Sequence, residues 1–187
     1  MSTARKEDGY YSFEDYYSWD DGIRWELING RAYAMSPAAS RRHQGIQIEL
    51  ASQFHYNLRG TACKVYAAPF DVRLNADTAD DTVVQPDIVV VCDLSKLNDK
   101  GCAGAPDLVV EILSPSSVRM DKIVKFEAYQ NAGVREYWIV DPENRILTVY
   151  LLNEGKYTAQ SYSENDESVA VSVLEGCIIN LADVFAE

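Results

Sequence analysis

The amino-acid sequence predicts an α+β fold, with a mixed central β-sheet flanked by helices. Two continuous apolar runs, residues 86–91 (PDIVVV) and 106–113 (PDLVVEIL), are typical of strands buried on both faces. Apolar residues at four-residue spacing predict a helix before these strands, and alternating runs typical of antiparallel strands follow them. Helices that interrupt a strand-rich chain in this way indicate the mixed class.

The N-terminal part of the chain predicts a short helix followed by a hairpin. Residues 13–19 form the helix, and residues 1–12 are expected to be a flexible N-terminus. Asn29 and Gly30 stand between two alternating apolar runs, which is typical of a two-residue hairpin turn. Extra antiparallel strands are therefore expected at this end of the sheet.

A long helix is predicted next. Ser40 is a favourable N-cap residue, and Gly60 ends the helix after about residue 58. One apolar row forms its buried face: Ile46, Leu50, Phe54 and Leu58.

The rest of the chain predicts further strands and two more helices. An acidic loop covers residues 75–82, a second long helix runs from the serines at 114–117 to Gly133, and a short helix covers 181–185. The other strands are predicted at residues 63–67, 70–74, 134–140, 146–152, 157–162 and 169–173. The last three are expected to be antiparallel, which places additional strands at this end as well.

Length and charge limit the class of protein. The chain has 187 residues, which fits a single domain over residues 1–187. Its formal charge is −12, from 17 basic and 29 acidic residues. Phosphate binding usually leaves a basic footprint, so this charge weighs against nucleic acid as a partner and predicts weak affinity for any polyanion. No GxxxxGK, GxGxxG or GxSxG motif supports a nucleotide-driven or serine-hydrolase function.

The cysteines and the hydropathy bear on the cellular compartment. The four cysteines are Cys63, Cys92, Cys102 and Cys177. They are scattered, without the paired spacing of zinc or redox motifs, and are therefore expected to be reduced buried thiols of a cytoplasmic protein. No apolar signal core and no run long enough to cross a bilayer is present, so we expect a soluble protein without a membrane partner.

Two carboxylates interrupt the apolar strands. Asp87 begins the first strand, and Glu111 lies in the middle of the second. A carboxylate buried without a partner is costly, so it must be protonated, paired with a cation or bound to a metal. If the strands are neighbours, two hard oxygen donors converge, and such donors suit Mg²⁺ or Mn²⁺. The alternative makes Asp87 a turn residue and Glu111 the partner in a buried ion pair.

Lys125 is the cation best placed to meet these acids. At 100° per residue it falls in the apolar stripe of its helix, with Asp121 on the same side. A lysine there must reach the helix edge or point its ammonium at buried carboxylates, and Glu111 lies on the strand leading into this helix. A structural ion pair and a lysine that positions the attacking water are both compatible with this pattern.

Other polar side chains are candidates for orienting these three groups: Asp107, Asp121, His43 and Glu26. Asp107 shares a strand face with Glu111. His43 lies on or beside the buried face of its helix, where most histidines are core or helix-end residues. Glu26 has apolar neighbours, although strand alternation could turn it outward.

Several segments, taken in order, resemble the Uma-two family of restriction-endonuclease-like proteins, within the PD-(D/E)XK nuclease superfamily. The resemblance extends from about Trp19 to Leu181. It rests on WELINGRAYAMSP, QPDIVVV, APDLVVEILSPSS and GVREYWIVDP, on the helix opening around His43, and on Asp121, Lys125 and Tyr129.

The resemblance implies a restriction-endonuclease-like core. Within it, Asp87 matches the aspartate of the PD element, and Glu111 matches the acid of the (D/E)XK element. Leu113 stands where the superfamily pattern has lysine, and Lys125 on the next helix resembles the migrated substitute.

Two hypotheses follow. In the first, the protein is a Mg²⁺-dependent endonuclease, with Mn²⁺ able to substitute, that hydrolyses DNA through the metal ligands Asp87 and Glu111 and a water-positioning Lys125. Duplex cleavage would need two sites and hence a homodimer. In the second, a catalytically inactive interaction protein keeps the fold, and Glu111 and Lys125 form a buried ionic lock. Small or RNA-like phosphodiesters are a third class of substrate that the acidic surface would tolerate.

Overall fold

The computed structural model describes residues 9–35 and 39–186. Its helices are α1 (Phe13–Tyr17), α2 (Arg41–Asn57), α3 (Phe126–Ala132) and α4 (Leu181–Val184). A π-helical segment, Met120–Lys125, runs directly into α3, and a 3₁₀ turn covers Leu94–Lys96. None of the described helices has the length and hydropathy of a membrane span.

The strands form two six-stranded sheets and a separate pair. The first sheet has the order β2-β1-β5-β4-β8-β7, and the central sheet has the order β12-β11-β10-β9-β6-β3. The strands of the first sheet are β1 (Trp25–Ile28), β2 (Arg31–Ala34), β4 (Val72–Arg73), β5 (Val83–Val84), β7 (Leu97–Asn98) and β8 (Gly101–Ala103). Those of the central sheet are β3 (Lys64–Ala67), β6 (Ile88–Val91), β9 (Leu108–Ile112), β10 (Glu136–Asp141), β11 (Ile146–Asn153) and β12 (Lys156–Ser163). The pair consists of β13 (Ser168–Ala170) and β14 (Ile178–Asn180).

The central sheet is mixed, which confirms the predicted class. Strand β9 is antiparallel to β6 but parallel to β10. A parallel pair needs a crossover connection, and here the crossover contains the π-helical segment and α3. Strands β10, β11 and β12 then continue as antiparallel neighbours.

The two acid-bearing strands are buried on both faces, as their continuous apolar runs predicted. On one face, Ile88 and Val110 pack in a cluster that includes Leu50 of α2. On the other face, Val89 and Val109 belong to a second cluster that contains residues of the first sheet and of α3. A charged side chain on a strand that is covered on both faces must therefore lie near the end of the strand or have a partner inside the protein.

Local signals for the hairpin and for the long helix are confirmed. Asn29 and Gly30 have φ angles of 49° and 71° and join β1 to β2. The Ser40 side chain accepts a hydrogen bond from the His43 N–H at 3.2 Å, which caps α2. Residues 1–8 of the expected flexible N-terminus lie outside the described residues, and Tyr11 donates its N–H to the Gly30 carbonyl at 2.8 Å.

The sheets differ from the prediction in their short strands. Strands β5, β7, β8 and β14 have only two or three residues and were not predicted. The strand predicted at 70–74 is shortened to Val72–Arg73, and the one at 169–173 is replaced by Ser168–Ala170. Segments this short do not complete a recognisable alternation, so tertiary pairing alone defines them.

The prediction of four reduced thiols is wrong. Cys63 and Cys92 form a disulfide, whereas Cys102 and Cys177 are buried free thiols. Lys64 pairs with Val91 in the antiparallel β3–β6 register, so the preceding and following cysteines stand opposite each other. Sequence spacing does not reveal such a pair, because 29 residues separate its members. The expected cytoplasmic location therefore no longer rests on the cysteines.

The disulfide predicts a specific thiol count. Protein purified without reductant and unfolded in denaturant should react with a thiol reagent at two cysteines, and at all four after reduction. Closing a loop of 29 residues stabilises the fold by about 3–4 kcal/mol in the chain-entropy model, so reduction should lower the melting temperature. Four reactive thiols before reduction would contradict the pairing.

Candidate active site

The antiparallel pairing of β6 and β9 brings Asp87 and Glu111 together. Ile88 lies opposite Val110, so continuing the register by one pair sets Asp87 opposite Glu111. Oδ2 of Asp87 accepts a hydrogen bond from the Ile112 N–H at 2.7 Å. Burial raises the pKa of Glu111, and the charge of Asp87 adds to this effect, which places the two carboxylates in one electrostatic environment.

Helix α2 holds Asp87 in place. The Gln47 side chain donates to the Asp87 carbonyl at 2.8 Å, and His43 Nε2 lies 3.2 Å from Asp87 Oδ2. Burial by itself would lower the pKa of His43, but the hydrogen bond and charge of Asp87 outweigh it, and the pKa is raised. His43 is thus a cationic neighbour of Asp87 over a wider pH range than a free imidazole.

Lys125 lies among three carboxylates. Its Nζ is 2.8 Å from Glu26 Oε1, 3.0 Å from Glu111 Oε1 and 3.7 Å from Asp121 Oδ1. The Lys125 and Glu111 side chains are each only 5% exposed. Glu26 reaches the lysine from β1 and also accepts the Gln85 N–H at 2.8 Å. The outward orientation considered for Glu26 is therefore wrong.

Tyr129 is a contact of Glu111 that the sequence analysis did not assign. Its hydroxyl donates to Glu111 Oε1 at 2.7 Å, on the same oxygen that faces Lys125. The available signal was its position four residues after Lys125, which places both side chains on one row of a helix. Tyr129 is fully buried, so it fixes the orientation of Glu111 without access to solvent.

One lysine does not neutralise the acids that surround it. Burial raises the pKa of Glu111 well above its usual value, and the negative charges of Asp121, Asp87 and Glu26 add to this effect against the opposing Lys125. Burial also raises the pKa of Asp121. The cluster therefore favours additional positive charge, either as protons or as a bound cation.

The charge of Lys125 itself is secure. Burial by itself would lower its pKa, but Glu111, Glu26 and Asp121 together outweigh burial and raise the pKa well above that of a free lysine. Lys125 therefore stays an ammonium at neutral pH and acts through charge and hydrogen bonding. It is not a proton acceptor in this state.

The helix that carries Lys125 begins differently from the regular helix predicted. Met120–Lys125 is π-helical, and Asp121 and Lys125 are both buried within it. The Tyr137 hydroxyl donates to the Asp121 carbonyl at 3.0 Å, which gives one carbonyl of the widened turn a partner from β10. Single π-helical turns occur frequently at functional sites.

Asp107 lies outside this cluster, which corrects its selection as an orienting candidate. It shares a face with Glu111 but lies four residues earlier, which is about 13 Å along a strand. Its Oδ2 accepts the Cys92 N–H at 2.6 Å, and Oδ1 pairs with Arg135. The alternation of side chains along the strand identified the correct face for Asp107, but it gave no information about the distance between Asp107 and Glu111 along the strand.

The cluster opens into a small cavity of about 110 Å³, which we call the acidic pocket. Its ionisable lining residues are Glu26, His43, Asp87, Glu111, Asp121 and Lys125. Serines at the start of the following helix, Ser114, Ser116 and Ser117, line the same cavity. Six of the seven predicted site residues therefore line one pocket, and Asp107 does not.

The chemistry of these donors fits a hard divalent cation. The hydrogen bonds of the described residues fall on Oδ2 of Asp87 and Oε1 of Glu111, so the second oxygen of each is available to a ligand. Mg²⁺ is commonly held by one or two carboxylates and several waters. Among the described residues, no group of three or more His, Cys, Asp or Glu side chains is arranged to hold a metal ion by itself.

A comparison with solved structures agrees with this architecture. The chain superposes with a TM-score of 0.75 on a crystal structure described as "a putative nuclease belonging to DUF820" from Anabaena variabilis ATCC 29413. The two chains are 19% identical, and the match covers 94% of this chain and 97% of the other. The protein therefore has the restriction-endonuclease-like fold that the resemblance implied.

The family assignment is also confirmed. The chain belongs to the Uma2 family, described as "Putative restriction endonuclease", whose model matches residues 13–182. A relative from Synechocystis sp., "Uncharacterized protein slr1290", is 29% identical over 157 residues. That alignment covers 82% of this chain and 80% of the relative.

The geometry around Lys125 predicts a large stability effect. Lys125→Ala leaves three buried carboxylates without their cation, so the free energy of unfolding should fall by about 3–5 kcal/mol in denaturant titrations. Lys122→Ala is the matched control: it removes an exposed lysine of the same helical segment and should change stability by no more than about 0.5 kcal/mol. Equal unfolding free energies for the two variants would show that Lys125 compensates no buried charge.

The same variant should show a characteristic pH dependence. The raised pKa values of Glu111 and Asp121 mean that the folded state binds protons more tightly than the unfolded state. Their contribution to stability therefore falls as pH rises above the ordinary carboxyl range and through the raised values. Without Lys125 this fall should be steeper, so the loss caused by Lys125→Ala should be larger at about pH 8 than at about pH 5.

Proposed function

We propose that the protein is a Mg²⁺-dependent endonuclease that hydrolyses phosphodiester bonds of DNA, with Mn²⁺ able to replace Mg²⁺. Asp87 and Glu111 are the metal ligands, and Lys125 orients the attacking water and stabilises charge on the phosphate. The observation that carries this proposal is the buried Lys125 ammonium, 3.0 Å from Glu111 in an open pocket that Asp87 also lines. A divalent cation bound there would activate water and neutralise the scissile phosphate.

Residues that line the acidic pocket or lie behind it hold these groups in position. Glu26 and Asp121 keep Lys125 charged and directed into the pocket, and Tyr129 fixes the shared oxygen of Glu111. His43 and the Ile112 N–H restrain Asp87. Each proposed functional side chain therefore has at least one partner from another element, which is how a site keeps its geometry between turnovers.

The family and the solved relative support the same class of reaction. Uma2 is described as "Putative restriction endonuclease", and the Anabaena structure as that of "a putative nuclease". Cutting both strands of a duplex at one position needs two copies of the pocket, so we expect a homodimer on duplex DNA.

A plasmid nicking assay tests the proposal. Purified protein with Mg²⁺ should convert supercoiled plasmid to the open-circular form, and chelation should abolish the conversion. Asp87→Asn, Glu111→Gln and Lys125→Met should each lower the rate by about 100-fold or more, because each removes a group that acts on the reacting phosphate or its water. Circular dichroism should establish that each variant is folded at the assay temperature.

The matched control for this assay is Glu127→Gln. It makes the same chemical change as Glu111→Gln, but at an exposed position in the first turn of α3. Its nicking rate should equal that of the wild type. Equal cleavage by all the proteins would indicate a contaminating nuclease and would remove the support for catalysis.

A second candidate function is favoured by one observation. Lys125 has three carboxylate partners within 3.7 Å, which is also the arrangement of a buried ionic lock in a catalytically inactive interaction protein. An inactive protein with such a lock does not need a divalent cation in the pocket. The two functions therefore differ in whether metal stabilises the fold.

Thermal melts distinguish the two candidates. If Asp87 and Glu111 bind metal, Mg²⁺ or Mn²⁺ at a hundred times its dissociation constant should stabilise the wild type by about 2.7 kcal/mol. The effect should vanish in Asp87→Asn and persist in Asp107→Asn, because Asp107 lies outside the pocket. A wild-type melting temperature that neither cation changes would favour the ionic lock over the nuclease.

A further inference from the structure

We propose that Arg42 and Lys122 bind backbone phosphates of the strand whose scissile phosphate lies in the acidic pocket, so that the protein recognises the nucleic-acid backbone. This inference rests on the proposed nuclease function. It assigns a binding surface to a chain whose formal charge is −12. The expected ligand is a polynucleotide strand with several phosphates, recognised without reference to its base sequence.

A wide groove leads into the acidic pocket. Its volume is about 1050 Å³, against about 110 Å³ for the pocket. The two cavities are continuous because they share lining residues, namely Met35, His43, Gln85, Asp87, Ser114 and Ser116. Pockets that enclose a whole small-molecule ligand usually measure roughly 300–1,000 Å³, so the groove accommodates more than a single phosphate group.

The two cations approach the groove from different elements. Arg42 precedes His43 in the first turn of α2 and is half-buried. Lys122 follows Asp121 in the π-helical segment and is exposed. Each is the sequence neighbour of a pocket residue, but its side chain lines the groove and not the pocket. A strand whose scissile phosphate lies in the pocket would therefore pass both cations.

The charge of the groove differs from that of the whole chain. The chain has 17 basic and 29 acidic residues, whereas the groove is lined by three basic side chains (Arg24, Arg42 and Lys122) and three acidic ones (Asp87, Asp141 and Glu143). One of those acids is the proposed metal ligand. Against the effect of burial, hydrogen bonds with Asn144 lower the pKa of Asp141, and the charge of Lys122 adds to this lowering. Lys122 therefore also offsets one acid at the groove margin.

Several of the other lining residues can contact the nucleic-acid backbone. Ser40, Ser114 and Ser116 supply hydroxyls, which are common partners of phosphate oxygens. No Phe, Tyr or Trp is among the described residues that line the groove, so it offers no large ring on which a base could stack. Binding through phosphates alone carries no sequence information, and cleavage should accordingly show little sequence preference.

Salt-dependent binding tests this assignment independently of cleavage. The probe is a fluorescein-labelled DNA hairpin with a single-stranded tail, titrated in EDTA so that it is not cut and followed by fluorescence anisotropy. Each phosphate contact that is lost should reduce the slope of log K against log salt concentration by about one. Arg42→Ala/Lys122→Ala should therefore reduce the slope by about two relative to the wild type, and each single variant by about one.

The matched control is Arg59→Ala/Lys156→Ala, which removes the same charges elsewhere. Arg59 lies beyond the other end of α2, about 25 Å from Arg42 along the helix, and Lys156 is an exposed residue at the turn between β11 and β12. This variant should keep the wild-type slope. Equal slopes for the two double variants, or a wild type that does not bind the hairpin at low salt, would overturn the proposal. If the protein binds with the expected slopes but does not nick DNA, the assignment of the groove as a phosphate-binding surface stands and only the nuclease function is refuted.

Discussion

The structure depends on one buried ammonium group. Glu26, Glu111 and Asp121 come from a hairpin, a central strand and a helix, and all three reach Lys125 within 3.7 Å. Each of these carboxylates needs a cation nearby to stay ionised in its buried position, and Lys125 needs the carboxylates to stay charged. The ion cluster thus ties the first sheet to the central sheet and to the crossover helix, which are otherwise joined by apolar packing.

The sequence revealed most of this cluster because its members violate local patterns. Asp87 and Glu111 interrupt runs of buried apolar residues, and Lys125 interrupts an apolar helical stripe. Such violations are informative, since a charged residue in these positions must have a compensating partner. Glu26 was harder to place. All four residues of β1 are buried, so alternation along that strand does not separate an inner face from an outer one.

Other features could not be predicted, for physical reasons specific to each. The Cys63–Cys92 disulfide depends on the register of two strands, which cysteine spacing does not encode. The short strands of the first sheet depend on neighbours distant in sequence, and the π-helical turn differs from an α-helix by hydrogen bonds that no residue type specifies. Asp107 satisfied the pattern on the correct strand face, but Arg135 and the Cys92 amide occupy it at the opposite end.

The position of the lysine on a helix changes what the end of β9 contributes to the protein. Leu113 occupies the place, two residues after Glu111, where the family resemblance implied a lysine, and it packs in the apolar cluster with Tyr129 and Ile139. Its N–H also continues the pairing with β10 by donating to the Val140 carbonyl at 2.8 Å. Strand β9 therefore supplies the carboxylate of Glu111 but not the ammonium group that pairs with it. The last residue of this segment therefore serves packing and strand pairing alone, while the cation that compensates Glu111 comes from the crossover between β9 and β10.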